Sequence, residues 1–159
     1  MPKREILATL ALAGLLALAV AACTSVPLAP REVDAAAKRF DAAAPGSAAL
    51  YIVRDGYMMS DEVAVLVDQR PVGILAYDTY LRLELAPGQH DVRAENIENR
   101  QPLAVTTVQL AAGEIRFVAI ANAVFDSPLA RAVTEMSARE MPVSAGRAAV
   151  LSRRLAAGR

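Results

Sequence analysis

Cys23 and His90 are the only cysteine and the only histidine in a chain of 159 residues. One thiol and one imidazole so far apart do not form a Cys/His metal cluster, and a zinc ion would need carboxylates beside a single histidine. The carboxylate pairs Asp61 with Glu62, Asp91 with Glu95, and Glu95 with Glu98 fall in expected turns or on a solvated strand face. Their spacing alone names no general acid and base of the glycosidase kind. The chain also contains no G-x-S-x-G elbow, no P-loop and no dinucleotide fingerprint. These absences argue against an enzyme and imply no catalytic residue, no metal and no cofactor. His90 follows the turn Ala86-Pro87-Gly88 in phase with Val92 and Ala94, the position of a half-covered histidine at the rim of a sheet.

Cys23 stands where an apolar run meets polar sequence. Lys3 and Arg4 precede an uncharged stretch from Ile6 to Ala22 built from Ala, Leu, Ile and Val with small residues at its end, the three-part pattern of a secretory signal. The run is shorter than the about 20 strongly apolar residues of a typical membrane-spanning helix. Its last residues, Val20-Ala21-Ala22-Cys23, resemble the lipobox of bacterial lipoproteins. That resemblance implies a diacylglyceryl group on the Cys23 sulfur and cleavage between Ala22 and Cys23. Thr24, in place of an aspartate, implies the outer membrane by the same analogy. Two other readings stay open on the residues alone: an ordinary cut that leaves Cys23 a free thiol, and an uncleaved anchor. In an oxidising compartment a lone thiol is best explained if chemistry consumes it. Two or more acyl chains would hold stably, since burial contributes about 0.8 kcal/mol per CH₂.

The balance of 17 Lys and Arg against 17 Asp and Glu gives no basic excess, so nucleic acid is not an expected partner. From Thr24 to Ser47 the chain is rich in Ala, Ser and Pro with interspersed charge, which reads as a flexible linker long enough to hold a domain clear of the headgroups. Arg31 to Ala44 carries the pattern of a transient helix within it. Beyond Ser47 the apolar period becomes two. Strands are expected at Ala48–Arg54, Glu62–Val67, Val72–Leu75, Tyr80–Leu85, His90–Glu95, Ala104–Leu110 and Ile115–Ala121. A weaker edge strand is expected within Leu129–Met136, then a short helix with Ser144 as N-cap.

Ala48 to Ala123 resembles a family associated with bacterial lipoproteins, the domain of unknown function 2846. The residues that carry this are A-L-Y-I-V-R in the first strand, V-x-V-D-x-x-x-V-G-x-L around Val65 to Leu75, L-x-P-G-x-H from Leu85 to His90, and L-A-A-G-E-I-R-F-V. The family supplies a fold and an envelope location but no catalytic residues. Asp68-Gln69-Arg70-Pro71 departs from the Asp-Gly of similar proteins, so a longer or differently shaped hairpin is expected there.

The expected architecture is all-β: a small antiparallel β-sandwich, immunoglobulin-like or prealbumin-like, with a short C-terminal helix. It divides into a signal peptide at 1–22, a lipidated linker at 23–47, the sandwich at 48–125 and a C-terminal extension at 126–159. The expected function is a non-catalytic envelope module facing the periplasm, bound to the membrane through Cys23 and to an envelope protein or glycan. Tyr57, Met58 and Met59, apolar residues in an expected loop, form the partner-contact site read from the sequence, with Tyr77 and Tyr80 a weaker alternative. The rival readings are a structural spacer acting through the Arg-bearing tail and a glycan hydrolase using Asp91 and Glu95.

Overall fold

The computed structural model describes residues 26–55, 62–124 and 134–158. Within them lie a helix α1 (Arg31–Ala37) and strands β1 (Ala48–Asp55), β2 (Val63–Val67), β3 (Arg70–Leu75), β4 (Thr79–Leu85) and β5 (Gly88–Asn96). Strands β6 (Pro102–Leu110), β7 (Ile115–Val124) and β8 (Thr134–Met141), helix α2 (Val143–Leu151) and the two-residue strand β9 (Arg154–Leu155) complete the order.

The strands form two sheets, ordered β8-β7-β1-β4-β9 and β3-β2-β5-β6, which face one another as a sandwich. The all-β expectation stands, with one departure. β1 runs parallel to β7, and β4 runs parallel to β9, whereas the remaining strand pairs are antiparallel.

Alternation along β1 explains the layers. Ala48, Leu50 and Ile52 point between the sheets with Leu81, Val118, Ile120, Val65, Val92 and Leu110. Ala49, Tyr51 and Val53 point the other way and are equally buried, alongside Tyr80, Phe117 and Ala119. A strand apolar on both faces needs cover on both. The second cover comes from Ala37, Phe40 and Ala43 before β1 and from Val150 and Leu155 after β8. Residues 26–47 are therefore not a free linker. α1 is a packed helix, Val26 is only 3% exposed in the inter-sheet core, and the Phe40 ring lies tilted 5.5 Å from Tyr51 and edge-on 6.1 Å from Phe117, centroid to centroid. The expectation fails because alanine contributes little to mean hydropathy yet lets helix and sheet approach closely.

Three further expectations are refined. The β2–β3 hairpin is not longer than usual, since Val67 pairs with Arg70 across a two-residue loop with Asp68 and Gln69 at φ of 50° and 65°, but it is differently shaped, with a register shift between Val65 and Leu66. This positive-φ pair is the usual tight-hairpin solution, reached here without glycine. The expected edge strand is present over Thr134–Met141; the part of that expectation at 129–133 lies outside the described residues. The last helix starts at Val143, and its N-cap position is held by Pro142 at φ −56° with no side-chain cap bond; Pro142 O accepts from Gly146 N at 2.9 Å, and Ser144 is inside the helix.

Helix α2 sits so close to β7 that a β-carbon on Gly146 would come within 2.2 Å of Phe117 Cγ. Gly146→Ala should lower stability by about 2 kcal/mol through overpacking, despite the higher helix propensity of alanine. A chemical-denaturation midpoint no lower than that of the parent chain would contradict this packing.

Candidate functional site

Asp34 is the most heavily bonded carboxylate among the described residues. It projects from α1, is 7% exposed, and its Oδ1 accepts from the Tyr80 hydroxyl at 2.8 Å and from Leu155 N at 2.9 Å. Its Oδ2 accepts from Lys38 Nζ at 3.0 Å and lies 3.4 Å from Arg154 Nε. Lys38 Nζ also donates to Arg153 O. Burial opposes ionisation of Asp34, but the bonds from Lys38, Tyr80 and Leu155 outweigh it and hold its pKa below the ordinary 3.8. Burial, and then the bond to Asp34, push the Tyr80 phenol far up, so it remains a proton donor to the carboxylate.

Beside this cluster, where β9 stops and β4 continues, lies an open cleft of about 370 Å³. Arg39, Asp41, Arg82 and Glu84 supply its charge, and Val33, Ala36, Ala42 and Leu155 its apolar wall. Each arginine is already paired: Arg39 Nε with Asp41 at 3.0 Å and Arg82 Nη2 with Glu84 at 2.8 Å. Arg82 Nε also donates to the Tyr51 hydroxyl at 3.2 Å, and Ala44 N donates to Glu84 at 3.3 Å. The bonds from Arg82 and Ala44 hold the Glu84 carboxyl below its usual range. Burial works against the charge on Arg82, yet its bonds to Glu84 and Tyr51 hold its pKa above the ordinary value. Arg82 and Glu84 thus stay fully charged near neutrality, and neither is poised to exchange a proton. What such a surface does well is present paired charges on an apolar floor.

A second polar group joins the hairpin to β5. His90 Nδ1 lies 2.7 Å from Asp68 Oδ2, and His90 Nε2 lies 2.8 Å from Ala86 O. Both partners are acceptors, so both ring nitrogens are best satisfied as donors, which is the imidazolium form. Burial disfavours that charge, but the bonds to Asp68 and Ala86 outweigh it and raise the His90 pKa above 6.5. Asp68 is held below its usual range first by His90. With both nitrogens engaged, the ring offers no lone pair to a metal, and the rim position expected for it stands.

The other sequence-derived residues fall as follows. Cys23 and the loop of Tyr57, Met58 and Met59 lie outside the described residues. Tyr77 and Tyr80 do not act together: Tyr77 is 38% exposed at the β3–β4 turn, whereas Tyr80 is buried against Asp34. Asp91 and Glu95 share one strand, and a separation of four residues places their Cα atoms about 13 Å apart. Glycosidase pairs need about 5–9.5 Å between carboxyl groups. Asp91 Oδ1 accepts from Thr107 at 2.8 Å, and Glu95, expected in water, is tucked beneath Arg93 and Arg100 at 3.8 Å from each.

Arg54 was hidden in an apolar run. It is wholly buried at the end of β1, donating to Asp55 O, to Ile120 O and, at 2.6 Å, to Asn122 Oδ1. Arg153 reaches the same corner, donating to Arg54 O at 3.0 Å and to Asp55 Oδ1 at 3.1 Å, and caps α2 through Ala149 O at 2.8 Å. An Asp-to-Lys spacing of four at Asp34 and Lys38 was the one local signal of the Asp34 cluster.

No family model matches the chain, and no solved structure matches it. An uncharacterized protein of Haemophilus influenzae is 28% identical over 92 residues, covering 57% of this chain and 55% of that protein. The chain thus spans about half the length of the curated relative it matches. Among the described residues no helix is long and apolar enough to cross a membrane, and no group of three or more His, Cys, Asp or Glu is placed to hold a metal ion.

Asp34→Ala should cost about 3 kcal/mol, because it leaves the Tyr80 hydroxyl, Leu155 N and Lys38 without their acceptor. A urea midpoint shifted by less than a third of that amount would show the cluster to be dispensable. The raised His90 pKa has the opposite pH signature from a carboxylate. Its contribution is complete below the unfolded value of 6.5 and is lost as pH rises through the higher folded value. Denaturation midpoints measured from below 6.5 upward should therefore fall with pH in the parent chain and change less in His90→Gln.

Proposed function

We propose that the chain is a membrane-anchored envelope lipoprotein whose folded domain is a non-catalytic binding or accessory module. The observation that carries this is the placement of Cys23. It ends the apolar run directly after Ala21-Ala22, and only Thr24 and Ser25 separate it from Val26, which is buried in the core. Lipidation would consume the chain's one thiol, and cleavage before Cys23 would remove the apolar run while leaving the residues from Val26 onward intact.

The state of the described side chains supports the binding role. Asp34, Glu84 and Arg82 are each held in one charge state by internal partners, which suits a rigid scaffold better than proton transfer. The outer membrane, with the domain facing the periplasm, is the proposed location. An envelope protein or glycan is the proposed partner, with Tyr57, Met58 and Met59 as its contact loop on sequence grounds. The resemblance to the domain of unknown function 2846 rests on the strand and turn residues quoted above and agrees with this location. The spacer reading gains little, because Arg153 and Arg154 in the tail are engaged with Asp55 and Asp34.

Intact mass of the chain recovered from membranes tests the anchor. The expected product begins at Cys23, carries acyl mass, and is replaced by an unlipidated form in Cys23→Ser. A soluble parent chain with an unmodified thiol would overturn the reading.

A further inference from the structure

The fold leaves almost no tether. Val26 is 3% exposed between the sheets, Pro27 O accepts from Ala157 N at 2.8 Å, Leu28 bridges to Ala156, and Ala29 N donates to Leu155 O at 2.9 Å. The chain is therefore fixed from Val26 onward. Cys23 precedes it by three residues, and three residues span at most about 11 Å even when fully extended. That is less than the thickness of one sandwich, so the attachment point cannot reach round the domain.

Val26 also marks which side is tethered. It enters the core beside Gly73 and Ile74 of β3, and these residues line a shallow notch of about 210 Å³ with Pro27, Ala157 and Gly158. β3 is an edge strand. It contains Pro71, which has no N–H to offer, so this edge presents a reduced row of main-chain donors. Within β3, 26–28 and 156–158 the one ionisable side chain is Arg70; the others are Pro, Val, Leu, Ile, Ala and Gly. Asp68 lines the groove beside Arg70 and Val72 and offsets that cation, so what the edge offers the headgroups is an apolar strip with little to desolvate rather than a net charge.

We infer that this edge, formed by β3 and the paired segments 26–28 and 156–158, rests directly on the lipid headgroup layer, so that the bilayer surface is its partner. The inference deepens the proposed function and depends on lipidation at Cys23. It replaces the expectation of a domain standing clear of the membrane, and it orients the molecule. The opposite edge of the four-stranded sheet, β6, lies three strand spacings away, about 14 Å further from the lipid. Val105 on β6 is 60% exposed and would face outward.

The test compares two labelled sites on the lipidated chain in vesicles of phosphatidylethanolamine and phosphatidylglycerol containing a nickel-chelating lipid. Nitroxides are attached at Ala157→Cys and at Val105→Cys, both exposed positions, and power saturation reports collision with headgroup nickel. The expected result is a several-fold greater nickel accessibility at 157 than at 105. Inserting about 20 Gly and Ser residues between Ser25 and Val26, with a root-mean-square span of about 25 Å, should remove that contrast. Equal accessibility at the two sites in a chain whose intact mass shows the lipid would overturn the docked orientation alone. An intact mass without acyl groups would overturn the anchor, and the orientation with it.

Discussion

The Asp34 carboxylate takes bonds from β4 through Tyr80, from β9 through Leu155 and from its own helix through Lys38. These groups are separated by as many as 121 residues, yet they meet at one buried pair of oxygens. The rest of the architecture needs that meeting. β1 is apolar on both faces, so the five-stranded sheet cannot be left bare on its outer side. The segments that cover it come from the two ends of the described chain, and neither is long enough to bury much surface alone. Fixing one to the other through a charged, fully satisfied hub turns two marginal pieces into one layer. Removal of the hub's acceptor leaves several donors without partners, which is why a group of this kind is costly to lose even where its net contribution is modest.

Much of the β architecture was legible because its signal is local. Leu81, Leu83 and Leu85 alternate with Arg82 and Glu84, and a two-residue period admits few other readings. The doubly buried run in β2 was legible for the same reason. What could not be read was the cover of the outer face. Residues 31–44 look solvated because alanine and charge dominate them, and their burial depends on Tyr51, Tyr80 and Phe117, which lie in three different strands. Arg54 was hidden by its apolar neighbours: its carbonyl partners on β7 exist only once the parallel β1–β7 pair has formed. The same limit applies to the Ser144 cap, since Pro142 set the helix start instead.

The candidate surface follows from the same economy. The cleft beside α1 is lined by Arg39–Asp41 and Arg82–Glu84, pairs that neutralise themselves before any ligand arrives. Such a surface has little long-range field with which to draw in a strongly charged partner. Its selectivity would come from shape and from exchange of one ion pair for another at close range. His90 and Asp68 serve the hairpin in a similar way: the Asp68 carboxylate bonds both the ring and Asp91 N, holding a turn that has no glycine to relax it.

The parallel pairing of β1 with β7 has a temporal consequence. Because these strands run in the same direction and are about sixty residues apart, no hairpin can seed the centre of the sheet, and β1 must wait for distant chain before its second neighbour exists. β9 and α2, which complete the outer layer, are the last described elements to emerge from a ribosome. A nascent chain therefore displays Tyr51, Tyr80 and Phe117 to its surroundings until residues 143–155 have been made. During that interval these aromatics are available to a holding chaperone or to another unfinished copy, and the lifetime of the exposed face sets how much of the product reaches its native state.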